Sequence, residues 1–168
     1  MQLDAMLDRC KRLEERAAAV YRSYAAASRG EPALCALWTA LAREEDEHAR
    51  AIVLARARLE PTAGWRTWLQ GWDDALADVE ERLGAAEQLG REESTTSRQL
   101  SAALELEMSE LDALRRVVIA ACDAPDAELP DDHASKLADA AKRLSDDPQV
   151  RLQAALLTAR TRLKKIAS

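Results

Sequence analysis

Residues 41–52, with the sequence LAREEDEHARAI, contain a Glu-x-x-His motif formed by Glu45 and His48. Two residues three positions apart lie on the same face of a helix, so this motif can present a carboxylate and an imidazole to one ion. Apolar residues around the motif recur in steps of three and four, which is typical of a buried helical stripe. The stripe comprises Leu34, Trp38, Leu41, Glu45, His48, Ile52 and Leu59. A buried charge is costly unless it is paired or binds a metal, so the pattern indicates a polar site inside a helical core.

The composition of the whole chain favours helix. Its 168 residues include 5 glycines, 5 prolines and no phenylalanine, and no segment shows the sustained alternation of apolar and polar residues that is typical of a strand. A chain of this length is long enough to form one domain with a hydrophobic core. We therefore expect an all-α protein in which residues 1–168 form a single domain.

Charge and motif content exclude several classes of function. The net charge of -6 argues against nucleic-acid binding, because phosphate binding needs a concentrated basic face. No apolar run reaches the length of a bilayer span, and the N-terminus does not resemble a signal peptide. The 3 cysteines form no Cys-x-x-Cys pair, which excludes a zinc ribbon or a rubredoxin-type iron site. These features predict a cytoplasmic protein that binds neither nucleic acid nor membranes.

Prolines separate the predicted helices and stand at positions 32, 61, 125, 130 and 148. The first helix is expected over about residues 3–28, after which Gly30 can form a left-handed cap. The second helix is expected from Pro32, which suits a first helical turn, to about residue 59. The short connection between these two helices predicts an antiparallel pair.

A long crossover follows the second helix, over about residues 60–92. It carries Trp65, Trp68 and Trp72 at helical spacing, so part of it is predicted to be an amphipathic helix whose tryptophans belong to the core or to a subunit interface. Further helices are expected over about residues 94–121, 132–144 and 148–166, and the last two could also form one kinked helix.

Two other predicted helices each carry a carboxylate on an apolar stripe, Glu14 on the first helix and Glu107 on the third. In an antiparallel pair of helices, Glu14 and Glu45 come to a similar height because each lies near the midpoint of its helix. Glu110 lies one turn beyond Glu107 and can point toward the same volume. The candidate metal ligands are therefore Glu14, Glu45, His48, Glu107 and Glu110.

The segment from Glu14 to Tyr21 has the pattern Glu-x-x-Ala-x-x-x-Tyr, and together with Glu45 and His48 it resembles the first half of a rubrerythrin-type, ferritin-like domain. This half is also similar to the encapsulated ferritins, whose subunits carry one Glu and one Glu-x-x-His and complete a di-iron site across a dimer axis. Residues 104–111 resemble the third helix of the same fold. The resemblance implies a ferritin-like four-helix bundle with a long crossover between its second and third helices.

The resemblance also implies a chemistry. Members of this family bind iron and oxidise ferrous iron or reduce peroxide, and the matching residues here are Glu14, Glu45, His48 and Glu107. Carboxylate and imidazole ligands suit iron, in one or two ions, and manganese is an alternative. The residues themselves identify no catalytic group.

The chain departs from the family pattern in the fourth helix, where a second Glu-x-x-His is absent. The only other histidine, His133, follows Pro130 by three residues and lies near a predicted helix start. Two forms of the site are consistent with this: an asymmetric site within one chain, or a homodimer or higher homo-oligomer that completes the site between chains. The competing hypothesis is a non-catalytic helical scaffold or interaction protein that has lost the metal site.

Overall fold

The computed structural model describes the backbone of residues 3–57, 72–92, 94–110 and 133–167, and all of their side chains except those of residues 3, 55, 110 and 163–167. Within these ranges the chain forms six helices and no strand, so the all-α prediction is confirmed. The helices are α1 (Leu3–Ala27), α2 (Pro32–Arg56), α3 (Trp72–Arg91), α4 (Thr96–Glu110), α5 (His133–Leu144) and α6 (Pro148–Ala167). None of these helices is both long enough and apolar enough to cross a membrane.

Helices α1 and α2 form the predicted antiparallel pair. Their ends are tied together by Arg56 near the end of α2, whose Nε lies 3.1 Å from Asp4 Oδ1 near the start of α1. A hydrogen bond of 2.9 Å from the Glu31 N–H to the Ser28 carbonyl closes the turn between the two helices. The prediction of a left-handed cap at Gly30 is wrong, because its φ lies outside the left-handed region and the turn is closed by that hydrogen bond instead.

Helix α3 is the described part of the crossover, and it packs against α1. Two ion pairs spaced seven residues apart join these helices. Arg9 Nε lies 2.7 Å from Glu80 Oε1, and Arg16 Nε lies 2.7 Å from Glu87 Oε1. Residues 58–71, including Trp65 and Trp68, lie outside the described residues. Trp72 is buried at the start of α3, in agreement with its predicted place in the core or an interface.

Helices α5 and α6 are two separate helices rather than one kinked helix. Residues 145–147 separate them, and Asp147 Oδ1 accepts a hydrogen bond of 2.8 Å from the Gln149 N–H, as a capping residue does. The predicted third helix is described from Thr96 to Glu110, and the rest of it lies outside the described residues. Buried apolar side chains from all six helices form one continuous core, and α5 lies against α2, α4 and α6.

Candidate metal centre

Four of the predicted ligands converge in the interior, from three different helices. Glu14 comes from α1, Glu45 and His48 from α2, and Glu107 from α4. The three glutamates are between 1% and 4% exposed, and the His48 side chain is 19% exposed. Each glutamate replaces one apolar residue in a stripe that otherwise packs in the core, which is why the helical spacing brings them together. The side chain of the fifth candidate, Glu110, lies outside the described residues.

His133 is a further member of the cluster, and the sequence reasoning did not assign it to the site. It is the first residue of α5 and is 4% exposed, and its Nε2 lies 2.7 Å from Glu107 Oε1. The last part of the chain therefore does contribute a histidine to this cluster, although no Glu-x-x-His precedes it. The sequence did contain a signal that His133 is buried. The buried residues Leu137 and Ala141 follow it at intervals of four residues, so all three lie on one face of α5.

The Glu45 carboxylate lies between the two imidazoles. Its Oε2 is 3.0 Å from His48 Nδ1, and its Oε1 is 3.4 Å from His133 Nε2. Glu14 lies on the His48 side, with its Oε2 3.6 Å from Nδ1, and Glu107 lies on the His133 side. The two rings are 6.0 Å apart between centroids and nearly parallel. One ligand atom from each of Glu45, His48 and His133 lies within 4.8 Å of the other two, which is close enough for one ion to bind all three.

The charges in this cluster perturb its acids and bases in opposite directions. Burial alone would lower the pKa of His48, but the carboxylates of Glu14, Glu107 and Glu44 together outweigh burial and raise it above the ordinary histidine value. Burial alone would raise the pKa of Glu107, but its neighbours His133, His48 and Tyr21 together outweigh burial and lower the pKa of Glu107. Tyr21 contributes to this lowering, since its hydroxyl donates a hydrogen bond of 3.2 Å to Glu107 Oε1.

Several buried polar atoms of the cluster lack hydrogen bonds. Within the described part of the chain, Glu14 Oε2 and both ring nitrogens of His133 have no aligned hydrogen-bond partner. His133 Nε2 is near enough to Glu107 for an ion pair, but the N–H direction does not meet the carboxylate oxygen as a hydrogen bond requires. Buried polar atoms without partners are uncommon in native proteins. A cation would satisfy the carboxylate oxygen and an imidazole lone pair together, so these residues fit a metal ion.

An aromatic layer encloses the cluster on the α1–α2 side. Tyr21 stacks on Trp38 with 5.8 Å between ring centroids and 9° between planes, and its hydroxyl reaches Glu107. Tyr24 donates instead to the Ala86 carbonyl at 3.0 Å. Tyr21 is therefore both a core residue and a hydrogen-bond donor to a buried carboxylate.

Cys10 lies one turn before Glu14 on α1 and is fully buried. Burial, and then the nearby Glu14 carboxylate, raise the pKa of the Cys10 thiol to about 12. The thiol is therefore protonated at neutral pH, and a reactive or ligating thiolate is not favoured there. The donors of the centre are thus carboxylate oxygens and imidazole nitrogens.

Comparisons of the chain with known protein families, with curated proteins and with solved structures found no match. The function of the cluster is therefore inferred from its own donor atoms and their surroundings.

Proposed function

We propose that this chain is a metal-binding protein of the ferritin-like, rubrerythrin-type class, with a carboxylate–histidine centre held within one chain. The observation that carries the proposal is the Glu45 carboxylate lying between His48 and His133, with Glu14 and Glu107 on the outer sides. In the corresponding four-helix bundle, α1, α2, α4 and the α5–α6 pair would be the four members. Helix α3 would be the helical part of the long crossover.

The donor set supports iron, with manganese as the alternative. Three carboxylates and two imidazoles offer hard oxygen and borderline nitrogen ligands, which suit both metals. Glu14, His48 and one oxygen of Glu45 would hold an ion on one side. Glu107, His133 and the other oxygen of Glu45 would hold a second ion on the opposite side. The arrangement thus favours two positions that share one carboxylate.

Bound iron would supply one-electron chemistry toward oxygen or peroxide, which is the oxidoreductase activity we propose. The surrounding residues support such a centre. The carboxylates are almost fully buried, so the apolar core excludes bulk water, and the Tyr21 hydroxyl fixes one oxygen of Glu107. His48 is more exposed than Glu14, Glu45, Glu107 or His133, so its side is the route by which ions would enter.

Metal retention by the purified full chain tests the proposal. The protein is loaded anaerobically with ferrous iron, or with manganese, and the bound metal is counted by mass spectrometry after desalting. We expect bound metal in the wild type and its loss in His48→Ala and in His133→Ala. The matched control is Glu47→Ala on the same helix, because Glu47 is exposed and its ion pair with Arg43 is 3.9 Å long.

The scaffold hypothesis predicts a different result in the same experiment. A helical scaffold that has lost its metal site would retain no iron or manganese, and all the variants would behave like the wild type. Circular dichroism of each variant identifies any loss of metal that is due only to unfolding. Homo-oligomerisation stays a separate prediction, because the proposed centre draws its ligands from one chain and does not require a partner.

A further inference from the structure

Glu44 precedes Glu45, the central glutamate of the cluster, and faces the other nitrogen of the His133 ring. Its side chain is 13% exposed, and its Oε2 lies 3.5 Å from His133 Nδ1, on the side of the ring opposite to Glu107. Within the part of the chain that the structure describes, neither Glu44 Oε2 nor His133 Nδ1 has a hydrogen-bond partner. Two complementary buried atoms that face each other at this distance need only a small adjustment to form a hydrogen bond.

The position of Glu44 is fixed from its other oxygen. Lys136 Nζ donates a hydrogen bond of 2.6 Å to Glu44 Oε1. Lys136 follows His133 by three residues on α5, so both side chains lie on the face of α5 that meets α2. The lysine therefore holds the carboxylate at the edge of the centre, with its second oxygen directed at the histidine ring.

A neutral imidazole carries its proton on one nitrogen and its lone pair on the other. A carboxylate that accepts the Nδ1–H leaves Nε2 as the ligand atom, and it also fixes the orientation of the ring. We infer that Glu44 is a positioning residue that holds His133 with Nδ1–H toward itself and Nε2 toward the cation position between Glu45 and Glu107. This inference rests on the proposed metal centre and extends it to a residue that need not touch the ion.

Nitrogen-15 NMR of histidine-labelled protein tests the inference directly, because the chain contains only 2 histidines. Spectra are recorded on metal-free protein and on protein loaded with zinc, a diamagnetic ion that binds the same ligand types. A His48→Gln sample assigns the two rings. In the wild type we expect zinc on Nε2 of His133 and a proton on Nδ1, and in the metal-free protein we expect an Nδ1–H that exchanges slowly with water.

Two substitutions at position 44 separate positioning from simple charge. Glu44→Ala should weaken zinc binding by roughly 10–100-fold, as removal of a residue that orients a metal ligand does, and should remove the slow exchange of Nδ1–H. Glu44→Gln should lose less affinity, because its amide oxygen still accepts the hydrogen bond. The control Glu47→Ala removes the same charge from the exposed side of α2 and should leave zinc affinity unchanged.

Three results overturn the inference: coordination of zinc through Nδ1 of His133, equal zinc affinity in Glu44→Ala and the control, or a metal-free Nδ1–H that does not respond to Glu44→Ala. A Glu44→Gln variant as weak as Glu44→Ala would make Glu44 a ligand rather than a positioning residue and would also overturn it. If the wild type binds no zinc, iron or manganese, the proposed function itself fails. That failure is distinct from zinc binding through the wrong nitrogen.

Discussion

Replacing Glu14 with leucine should stabilise the metal-free protein. Glu14 is 3% exposed, its Oε2 has no hydrogen-bond partner among the described residues, and the nearest ring nitrogen of His48 is 3.6 Å away. A buried polar group without a hydrogen bond costs about 1–3 kcal/mol. Leucine has a similar volume and matches the apolar stripe of α1. The free energy of unfolding of metal-free Glu14→Leu should therefore exceed that of the wild type by about 1–3 kcal/mol.

The order of stability should reverse when metal is added. An ion that binds only the folded state stabilises it by about 4.1 kcal/mol when its concentration is about 1,000 times the dissociation constant, which exceeds the advantage of about 1–3 kcal/mol expected for the variant. Glu14→Leu lacks one of the proposed ligands and should gain much less. The assay is urea unfolding followed by circular dichroism, with chelator and then with saturating manganese under anaerobic conditions. The pH is kept above the raised pKa of His48, so that the ring is neutral and the substitution does not remove the partner of a charged ring.

A neighbouring substitution provides the control for this prediction. Glu15 is half exposed and pairs with Lys11, so Glu15→Leu should change the free energy of unfolding by less than about 0.5 kcal/mol, with or without metal. The reasoning is refuted if Glu14→Leu destabilises the metal-free protein by more than about 1 kcal/mol, because the carboxylate would then be a stabilising core residue. It is also refuted if manganese stabilises the variant as much as the wild type.

Two further predictions concern helix packing and pH. A Cβ at Gly90 would lie 2.3 Å from Ser23 Oγ and 3.3 Å from Ser23 Cβ, so Gly90→Ala should lower the melting temperature and the free energy of unfolding, by roughly 1–3 kcal/mol. Gly84→Ala on the same helix meets nothing within 4 Å and should stabilise by about 0.5–1 kcal/mol, and equal effects of the two changes in thermal unfolding would contradict the described α1–α3 contact. Because the pKa of His48 is raised, its protonated form stabilises the metal-free fold at acidic pH, and this contribution is lost as pH rises through the raised pKa. Metal affinity should show the opposite trend in a titration at several pH values, weakening as pH falls through that pKa, and a pH-independent affinity would argue against His48 as a ligand.

Most of the helical arrangement could be predicted from local signals. Pro32 marks a helix start through its backbone and Asp147 through its side-chain carboxylate, and the spacing of apolar residues identified the buried stripes of α1, α2 and α4. The same spacing identified Glu14 and Glu45 as buried, because a helical period alone determines which face a residue occupies. Gly30 was misjudged, since a glycine permits the left-handed conformation but does not require it.

The rest of the candidate site depends on contacts between distant parts of the chain. His133 follows Glu45 by many residues, and no motif spacing links them, so only the packing of α5 against α2 and α4 brings them together. Glu44 is a similar case, because it lies one residue off the stripe predicted for α2. Its importance becomes visible only when His133 and Lys136 are in place. Local periodicity therefore identifies a buried carboxylate, but it cannot identify which side chains face that carboxylate from another helix.

The most direct test of the metal centre is anomalous scattering from a crystal of the full chain, grown without chelators after loading with ferrous iron and measured at the iron absorption edge. We predict anomalous density beside the Glu45 carboxylate, within coordination distance of His48 and His133. A crystal with no anomalous density at this position, while the histidine and glutamate side chains remain in contact with one another, would contradict the proposed centre.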